Sequence, residues 1–296
     1  MIDADYDIGE LSSLVSSVIG RRVSLEQLHV RCTYPVFRGG DVFVKLGPMA
    51  EWVQTRALHE RLKDCPYFAK LLVTEPVEYR GYAVFVTEWR ESSIVFPEDF
   101  DSAQTASFVS GVTKLSEWLA PVRPVSSGID PVLSPSALYD TVRGYVRRHP
   151  IAGRLLKALD GIPEVERTYG SHRVVTVHGD FHAKNFAFEG DRFSTVYDFD
   201  KLMPSLACCD LVNAMVERFS LLSMSASDRR RLVAVAREIF AAQPWPRDEL
   251  VIMVNVLRLT FAARRIRKHP GSSWVAFDIW RRDLRIREIL AALPES

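Results

Sequence analysis

One segment near the middle of the chain constrains its fold more than any other. It reads HGDFHAKN at residues 178–185 and continues, after a short interval, with VYDFD at 196–200. The preceding residues 173–177, RVVTV, are mostly β-branched and apolar, which predicts a β-strand. Gly179 then permits backbone conformations that other residues avoid. The sequence therefore places Asp180 on a loop at the end of a strand.

A β-hairpin is predicted directly after this loop. Residues 186–188 and 193–197 are short apolar runs, and the Glu-Gly-Asp at 189–191 between them is typical of a turn. The hairpin carries Asn185 at one end and Asp198 at the other, so it folds two oxygen ligands toward each other. Mg²⁺ prefers oxygen ligands and takes few of them from protein, the rest coming from phosphates and water. We therefore predict that Asn185 and Asp198 bind Mg²⁺.

The segment resembles the Brenner-type motif of the aminoglycoside phosphotransferase and choline kinase family, a branch of the protein-kinase-like fold. In that family, His-Gly-Asp, four variable residues and Asn are followed by Ile-Asp-Trp or a close variant. The resemblance implies that Asp180 is the catalytic base and that His178 braces the catalytic loop. It also implies metal binding by Asn185 and Asp198, with Mg²⁺ held on ATP or GTP.

Three further positions qualify this resemblance. Asp210, in Cys-Asp-Leu, resembles a later family element whose role is structural. Lys184 replaces the usual small residue before the Asn, and Phe199 replaces the usual Trp. Neither departure touches the expected chemistry directly.

A hydrolytic metal site is the main alternative for the same residues. His178, Asp180 and His182 alternate, and alternation along an extended segment places side chains on one face, as in some zinc centres. No other group of His or Cys with ligand spacing occurs in the sequence. The phosphotransferase interpretation explains more of the residues.

The N-terminal third is expected to bind the nucleotide. Residues 42–46 read as a strand with Val44 on one face and Lys45 on the other. Lys45 resembles the family lysine that contacts the α- and β-phosphates, a task suited to a compact ammonium; a solvent-facing lysine is the alternative. The resemblance implies an acidic partner on the helix predicted over 49–62; Glu51 is preferred to Glu60, and either is otherwise a solvent-facing charge.

Two other segments are implied in nucleotide binding by the resemblance. Thr33 lies in the loop between the first two strands and is a candidate phosphate contact; it is otherwise a turn residue. The strand 82–89 ends at the expected hinge, where adenine is read by backbone groups. The implied partners are Glu88 and Arg90, together with Trp89.

Composition and helical periodicity complete an α+β, bilobal, protein-kinase-like plan. With 296 residues, 47% of them hydrophobic, the chain is long enough for two lobes. We predict a small antiparallel-sheet nucleotide-binding lobe over 1–89 and a larger, mostly helical, catalytic and substrate-binding lobe over 90–296. Apolar spacing predicts an apolar stripe on the first helix that includes Val53, and further helices near 108–119, 138–146, 152–159, 210–223, 227–242, 247–268 and 273–292.

Charge and cysteine usage exclude several classes of partner. The net charge of +1 suggests neither nucleic acid nor an anionic membrane as a partner, and no stretch approaches ~18 uninterrupted apolar residues. The acidic N-terminus lacks the basic start of a signal peptide. Four cysteines without metal spacing fit a reducing compartment. We therefore expect a cytoplasmic protein, and the oligomeric state is not readable.

The expected partners are a nucleoside triphosphate and a small hydroxylated acceptor. The Arg-rich region from Asp228 onward favours a neutral or anionic acceptor, such as a nucleoside, a sugar or an acidic natural product. The acidic residues over 98–101 leave aminoglycosides and choline-like amines open. Trp274, Phe277 and Trp280 follow helical spacing and are expected in the core rather than on a stacking platform.

The sequence leaves the type of acceptor and the biological role of the protein open. No Ala-Pro-Glu-like stop follows Asp198, which disfavours a protein kinase. A peptide acceptor and a non-catalytic nucleotide-binding relative remain the alternatives to a small-molecule kinase. Roles in antibiotic resistance, in biosynthesis and in salvage are all consistent with the same sequence features.

Overall fold

The computed structural model of the protein describes residues 6–28, 34–122, 135–149, 172–272 and 274–294. The predicted helix at 152–159 and the candidate phosphate contact Thr33 lie outside the described residues. Internal contacts divide the chain into two compact units. The first comprises Met1–Ser92 and Thr195–Tyr197, and the second comprises Ser93–Ser194 and Asp198–Ser296.

The first unit is built on an antiparallel sheet of five strands in the order β1-β2-β3-β5-β4. The strands are β1 (Glu26–Gln27), β2 (Val36–Gly39), β3 (Val42–Pro48), β4 (Glu78–Tyr79) and β5 (Tyr82–Glu88). Two helices accompany the sheet, α1 (Ile8–Ile19) and α2 (Met49–Leu62). The second of these helices follows β3 without a loop.

The alternation predicted for β3 is confirmed. Val44 and its neighbours on the same face are fully buried, whereas Lys45 on the opposite face is half-buried. Helix α1 was not predicted, and it covers the sheet with Leu11 and Val15, both 0% exposed. It begins at Asp7, whose carboxylate accepts the N–H of Glu10 at 3.0 Å.

The bounds of α2 are as predicted, but its apolar face is not. Val53 was placed on the buried stripe and is instead 73% exposed. The residues that are buried are Trp52 at 3% and Leu62 at 0% exposure. Trp52 packs on Phe85 of β5 with ring centroids 5.3 Å apart. Because β3 runs directly into α2, the strand fixes the rotation of the helix about its axis and turns Val53 outward.

The second unit is mostly helical. Its described strands are β6 (Val175–Val177), β7 (Phe186–Glu189), β8 (Arg192–Val196) and β9 (Met203–Ser205), and the last two residues of β8 are counted with the first unit. Its described helices are α3 (Ser102–Leu119), α4 (Pro135–Arg148), α5 (Cys209–Phe219), α6 (Ala226–Ala242), α7 (Arg247–Lys268) and α8 (Trp274–Leu290). Strand β6 pairs with β9, and β7 pairs with β8 as the predicted hairpin.

A cluster of phenylalanines forms the centre of the second unit beside the loop at 178–185. Phe181 is fully buried and stacks on Phe186 at 5.1 Å between ring centroids. Phe108 of α3 lies 5.1 Å from the Phe186 ring and 5.8 Å from that of Phe193. Gly111 lets α3 approach, because a Cβ there would lie 2.3 Å from Phe193. The aromatic side chain next to Asp180 therefore anchors the loop in the core.

The observed architecture is the predicted α+β, protein-kinase-like arrangement of an antiparallel sheet and a mostly helical unit. Within the described ranges, no helix is long and apolar enough to cross a membrane.

Candidate active site

The loop that carries Asp180 depends on a glycine at its first turn. Gly179 has a φ of +79°, a region that L side chains rarely adopt. A Cβ at this position would lie 2.3 Å from the carbonyl oxygen of Lys201. Gly179 therefore allows the backbone of residues 178–180 to lie directly against the turn that follows Asp198.

A buried carboxylate fixes the same turn from behind. Asp210, in the first turn of α5, is 2% exposed. Its Oδ2 accepts the N–H of His178 at 2.8 Å, and its Oδ1 accepts the N–H of Gly179 at 3.1 Å. Burial raises the pKa of Asp210, while His178 and the two N–H donors act in the opposite direction. These contacts are the structural role that the resemblance implied for Asp210.

His178 lies in the core behind the loop. Its side chain is fully buried. The ring lies 5.6 Å from that of Phe181 and 4.8 Å from that of Phe199. The N–H of Asp180 donates to its Nδ1 at 3.3 Å. The imidazole therefore supports the backbone of Asp180 from the core side, as a brace does.

The side-chain amide of Asn185 is oriented by the loop. Its Nδ2 donates to the carbonyl oxygen of Asp180 at 2.8 Å and lies 3.4 Å from Nε2 of His182. Its backbone N–H donates to the carbonyl oxygen of His182 at 2.8 Å. Within the part of the chain that the structure describes, the amide oxygen accepts no hydrogen bond. Asn185 thus presents an oxygen of the kind that Mg²⁺ prefers.

Asp198 occupies a strained backbone conformation directly after β8. Its φ of 60° and ψ of 59° lie in the left-handed region, which non-glycine residues seldom enter. Such outliers persist where the surroundings impose them, and they cluster at functional sites. The carboxylate of Asp198 and the amide oxygen of Asn185 are both oxygen donors of the kind that suits Mg²⁺.

The carboxylate of Asp180 faces two basic side chains. Its Oδ2 forms an ion pair with the Nζ of Lys201 and lies 4.0 Å from Nε2 of His182. Lys201 was not identified from the sequence. In the sequence, Lys201 is only a basic residue three positions after Asp198. Its relation to Asp180 becomes visible in the fold, where the turn brings it back to the loop.

The alternative of a hydrolytic metal site is not supported. Among the described residues, which include His178, Asp180 and His182, no three His, Cys, Asp or Glu side chains come together as a possible metal site. The buried ring of His178 accounts for this, because its Nδ1 already accepts a backbone N–H.

Lys45 and Glu51 lie on the same side of the sheet in the first unit. Lys45 and Gly47 are two residues apart on β3 and therefore share a face. A Cβ on Gly47 would lie 3.4 Å from Oε2 of Glu51. Glu60, the alternative acid, is exposed near the end of α2. The geometry favours Glu51 as the acid near Lys45, and their roles stay predictions.

The backbone at the predicted hinge is already partly hydrogen-bonded. The N–H of Glu88 donates to the carbonyl of Lys70 at 2.9 Å, and that of Trp89 donates to Asp41 at 2.7 Å. The Glu88 carboxylate accepts the Nε of Arg90 at 2.8 Å. If these residues contact adenine, they therefore do so through groups other than the N–H of Glu88 and Trp89.

Two of the three acidic residues proposed to attract a cation, Glu98 and Asp101, make structural contacts. Glu98 is 7% exposed and pairs through both carboxylate oxygens with Arg218. Asp99 lies 3.4 Å from Arg231. Asp101 caps α3 by accepting a backbone N–H at 2.7 Å. Glu98 and Asp101 are thus engaged within the protein, whereas Asp99 lies in an exposed ion pair, and a cationic acceptor stays open.

The aromatic residues of α8 also differ from expectation. Trp274 and Phe277 were expected in the core and are 52% and 50% exposed. Arg265 lies over the Trp274 ring at 5.7 Å, and Arg281 lies over the Phe277 ring at the same distance. Helical spacing alone did not distinguish these outward positions from the buried face.

The antiparallel sheet and the mostly helical unit are those of a protein-kinase-like fold. The sequence model of the phosphotransferase enzyme family (APH) matches residues 96–248, just over half of the chain. The chain belongs to that family and is a small-molecule kinase by class. No curated protein matches the sequence.

Solved structures share the fold over nearly the whole chain. A spectinomycin phosphotransferase bound to ADP and spectinomycin is 10% identical, with a TM-score of 0.61, covering 98% of this chain and 99% of its own. A putative aminoglycoside phosphotransferase from Ralstonia eutropha is 13% identical, with a TM-score of 0.59 and 96% of both chains covered. A choline/ethanolamine kinase family protein from Mesorhizobium loti is 17% identical, with a TM-score of 0.56 and coverages of 90% and 91%. At these identities the likeness concerns the fold.

Proposed function

We propose that the protein transfers the γ-phosphoryl group of ATP, or of GTP, to a hydroxyl of a small molecule. The observation that carries this proposal is the construction of the loop at 178–185. Asp210 holds its first turn, and the Asn185 amide is bonded to the backbone of Asp180. A carboxylate and an amide oxygen are thereby prepared for an acceptor and a metal ion.

Each residue of the second unit has a distinct task in this reaction. Asp180 accepts or orients the proton of the acceptor hydroxyl, and its position matters more than its basicity because the transition state is loose. Asn185 and Asp198 hold Mg²⁺, which neutralises charge on the phosphates when it is bound. His178 and Asp210 keep the loop in shape.

The nucleotide contacts are proposed for residues of the first unit. Lys45, with Glu51 near it, orients the α- and β-phosphates, and Thr33 adds a phosphate contact. The backbones of Glu88 and Arg90, with Trp89, contact the base. The ADP in the spectinomycin phosphotransferase supports a nucleotide donor, as does the AMP-PNP in an amicoumacin kinase of TM-score 0.59 and 11% identity.

A neutral or anionic acceptor fits the described charges better than a polycation. Of the three acids at 98–101, Glu98 and Asp101 are engaged in structural contacts and Asp99 lies in an exposed ion pair. The last two helices are richer in arginine than in acid, and their buried acids are paired: Asp278 with Arg265, and Asp283 with Arg258. Antibiotics, nucleosides, sugars and acidic natural products that carry a hydroxyl are the candidates, and an amino alcohol is the least favoured.

Calorimetry of Mg²⁺-dependent ATP and GTP binding tests the proposal. The wild type is expected to bind one or both nucleotides only with Mg²⁺, and Asp198→Asn is expected to lose this dependence on metal. Asp180→Ala should retain binding and lose transfer. Failure of the wild type to bind either nucleotide would contradict the proposal. Binding without transfer to any acceptor, water included, would indicate a non-catalytic relative.

A further inference from the structure

The ion pair between Lys201 and Asp180 places a positive charge where a phosphotransferase carries out its chemistry. The ammonium of Lys201 contacts Oδ2 of Asp180. If Asp180 receives the acceptor hydroxyl, a group on the same carboxylate oxygen lies within a few ångströms of the attacking oxygen. The Lys201 side chain is 45% exposed and that of Asp180 18% exposed, so the pair is open to solvent on the lysine side.

The backbone holds Lys201 in this place. Lys201 ends a short 3₁₀ turn, Phe199–Lys201, that starts from the left-handed Asp198. Strand β9 follows, and its Met203 pairs with Val177 of β6, the residue just before the loop. The carbonyl of Lys201 meets Gly179 so closely that no Cβ fits between them. The lysine is therefore fixed to the loop from both sides by backbone contacts.

Stability alone does not explain a lysine at this position. Exposed ion pairs contribute about 0–1 kcal/mol. The two elements are already joined by β-pairing and by the close approach at Gly179. A lysine on the carboxylate that serves as base also competes with the acceptor hydroxyl for that oxygen. The ammonium can leave this oxygen to the hydroxyl if it has a second partner during the reaction.

We propose that Lys201 is a further catalytic residue, whose ammonium contacts the transferring phosphoryl group; this inference rests on the proposed function. In the step, the acceptor oxygen forms a bond to the γ-phosphorus while the bond to the bridging oxygen breaks, and ADP keeps that electron pair. The hydroxyl proton passes to Asp180. Asp180 is then neutral, and the Lys201 ammonium pairs with the phosphate of the product.

The first test measures binding of a planar phosphoryl mimic, which needs no acceptor. Mg·ADP affinity is measured by calorimetry with and without aluminium fluoride, for wild type, Lys201→Met, Lys201→Arg and Lys184→Met. Lys184 is an exposed lysine of the loop at 178–185, so Lys184→Met removes the same charge as Lys201→Met. Mg·ADP alone is expected to bind all four proteins within about 3-fold. The gain in Mg·ADP affinity caused by aluminium fluoride is expected to be about 100-fold smaller in Lys201→Met than in wild type. This gain should recover partly in Lys201→Arg and should be unchanged in Lys184→Met.

The second test follows slow hydrolysis of ATP, with water as acceptor. Lys201→Met should lower kcat by about 100-fold with KM for ATP unchanged, since the contact forms at the transferring group. An equal loss in Lys184→Met would point to general charge and overturn the assignment. Thermal unfolding of the four proteins checks that the changes in kcat do not follow stability.

The outcomes separate this inference from the proposed function. If wild type does not bind Mg·ADP, the proposed function fails and this inference fails with it. If wild type binds Mg·ADP but aluminium fluoride adds nothing, or adds equally in Lys201→Met, only the role of Lys201 is overturned. If Lys201→Met loses Mg·ADP binding in parallel, Lys201 binds nucleotide or supports structure instead.

Discussion

At the scale of single residues, the candidate site depends on backbone hydrogen bonds made by a carboxylate that never meets substrate. Asp210 accepts two consecutive N–H groups and thereby sets the direction in which Asp180 leaves the strand. A buried acceptor of this kind is costly to remove, because the donors it leaves behind are shielded from water.

Asp210→Asn is expected to impair transfer more than it impairs folding. An amide offers one acceptor oxygen in place of two, so one of the two N–H groups loses its partner, at a cost of about 1–3 kcal/mol. Urea unfolding measures stability, and ADP release measures transfer. Asp99→Asn, at an exposed ion pair, is the control and should change neither. Unchanged transfer in Asp210→Asn would contradict a bracing role.

Gly179→Ala is expected to damage the loop by steric overlap. The added methyl group would meet the Lys201 carbonyl at 2.3 Å in a backbone conformation that already disfavours alanine. Gly190→Ala is a matched control, since Gly190 also has a positive φ, of +58°, but nothing lies within 4 Å of its Cβ position. The control should lose about 1 kcal/mol of stability, and Gly179→Ala should lose more and should also lose transfer. Equal losses in thermal unfolding would exclude the close approach as the cause.

His59 is expected to make the first unit sensitive to acid. Burial lowers the pKa of His59 from 6.5 to about 4, beside the ring of Phe68 at 4.3 Å. Because the folded-state pKa is the lower one, the unfolded chain takes up the proton first. The stability present above pH 6.5 is therefore lost as the pH falls toward 4, by about 2–3 kcal/mol.

Urea unfolding between pH 4 and 8 measures this contribution. His59→Phe keeps an aromatic ring beside Phe68 and removes the titrating group, so its stability should fall less steeply over the same range. Identical pH profiles for the two proteins would show that other groups are responsible.

At the scale of elements, the helical unit joins its last two helices through buried charge. Arg258 of α7 and Asp283 of α8 are 7% and 6% exposed and pair at 2.6 Å. Arg287 adds a second contact to the same carboxylate at 2.8 Å. Buried pairs of this kind are weak evidence for stability, but breaking one is expensive because an unpaired charge stays buried.

Asp283→Ala is therefore expected to destabilise the protein by about 3–5 kcal/mol, because Arg258 loses its partner. The double variant Arg258→Met/Asp283→Leu should recover much of this loss, since it removes both charges of the buried pair. Arg192→Ala, at an exposed pair with Glu189, is the control and should have no measurable effect. Chemical unfolding of the four proteins distinguishes these cases, and a double variant no better than Asp283→Ala would contradict the account.

At the scale of the whole molecule, the balance of charge decides which acceptors are expected. The net charge is only +1, but residues 247–294 carry ten basic against five acidic side chains. Among the acids at 98–101, Glu98 pairs with Arg218 and Asp101 caps a helix. A site for a polycation is expected to be acidic, whereas residues 247–294 are predominantly basic.

A screen of acceptors by ADP release is expected to favour neutral and anionic hydroxyl compounds over polycationic aminoglycosides. For an anionic acceptor, KM should rise with added salt, because screening weakens attraction to the arginine-rich helices. A neutral sugar serves as the control, since its KM should not depend on salt. Rapid phosphorylation of an aminoglycoside, with no turnover of the other classes, would contradict this expectation.

The sequence by itself determined most of the elements near the candidate site, though not helix α1. The residues of β3 alternate so that Val44 is buried and Lys45 half-buried, and this alternation is visible in the sequence. The bounds of α2 and of the hairpin after Asn185 also follow from the local sequence pattern. Local preferences act over a few residues, so they can be read from neighbouring letters of the sequence.

Only the tertiary structure decided which side chains meet across the chain. Lys201 reaches Asp180 over 21 residues, and Glu98 is paired with Arg218 over 120. Val53 faces outward because β3 runs directly into α2 and fixes the rotation of the helix about its axis. Such contacts depend on how elements pack, and a charged side chain looks the same in the sequence whether it pairs, caps a helix or meets a substrate.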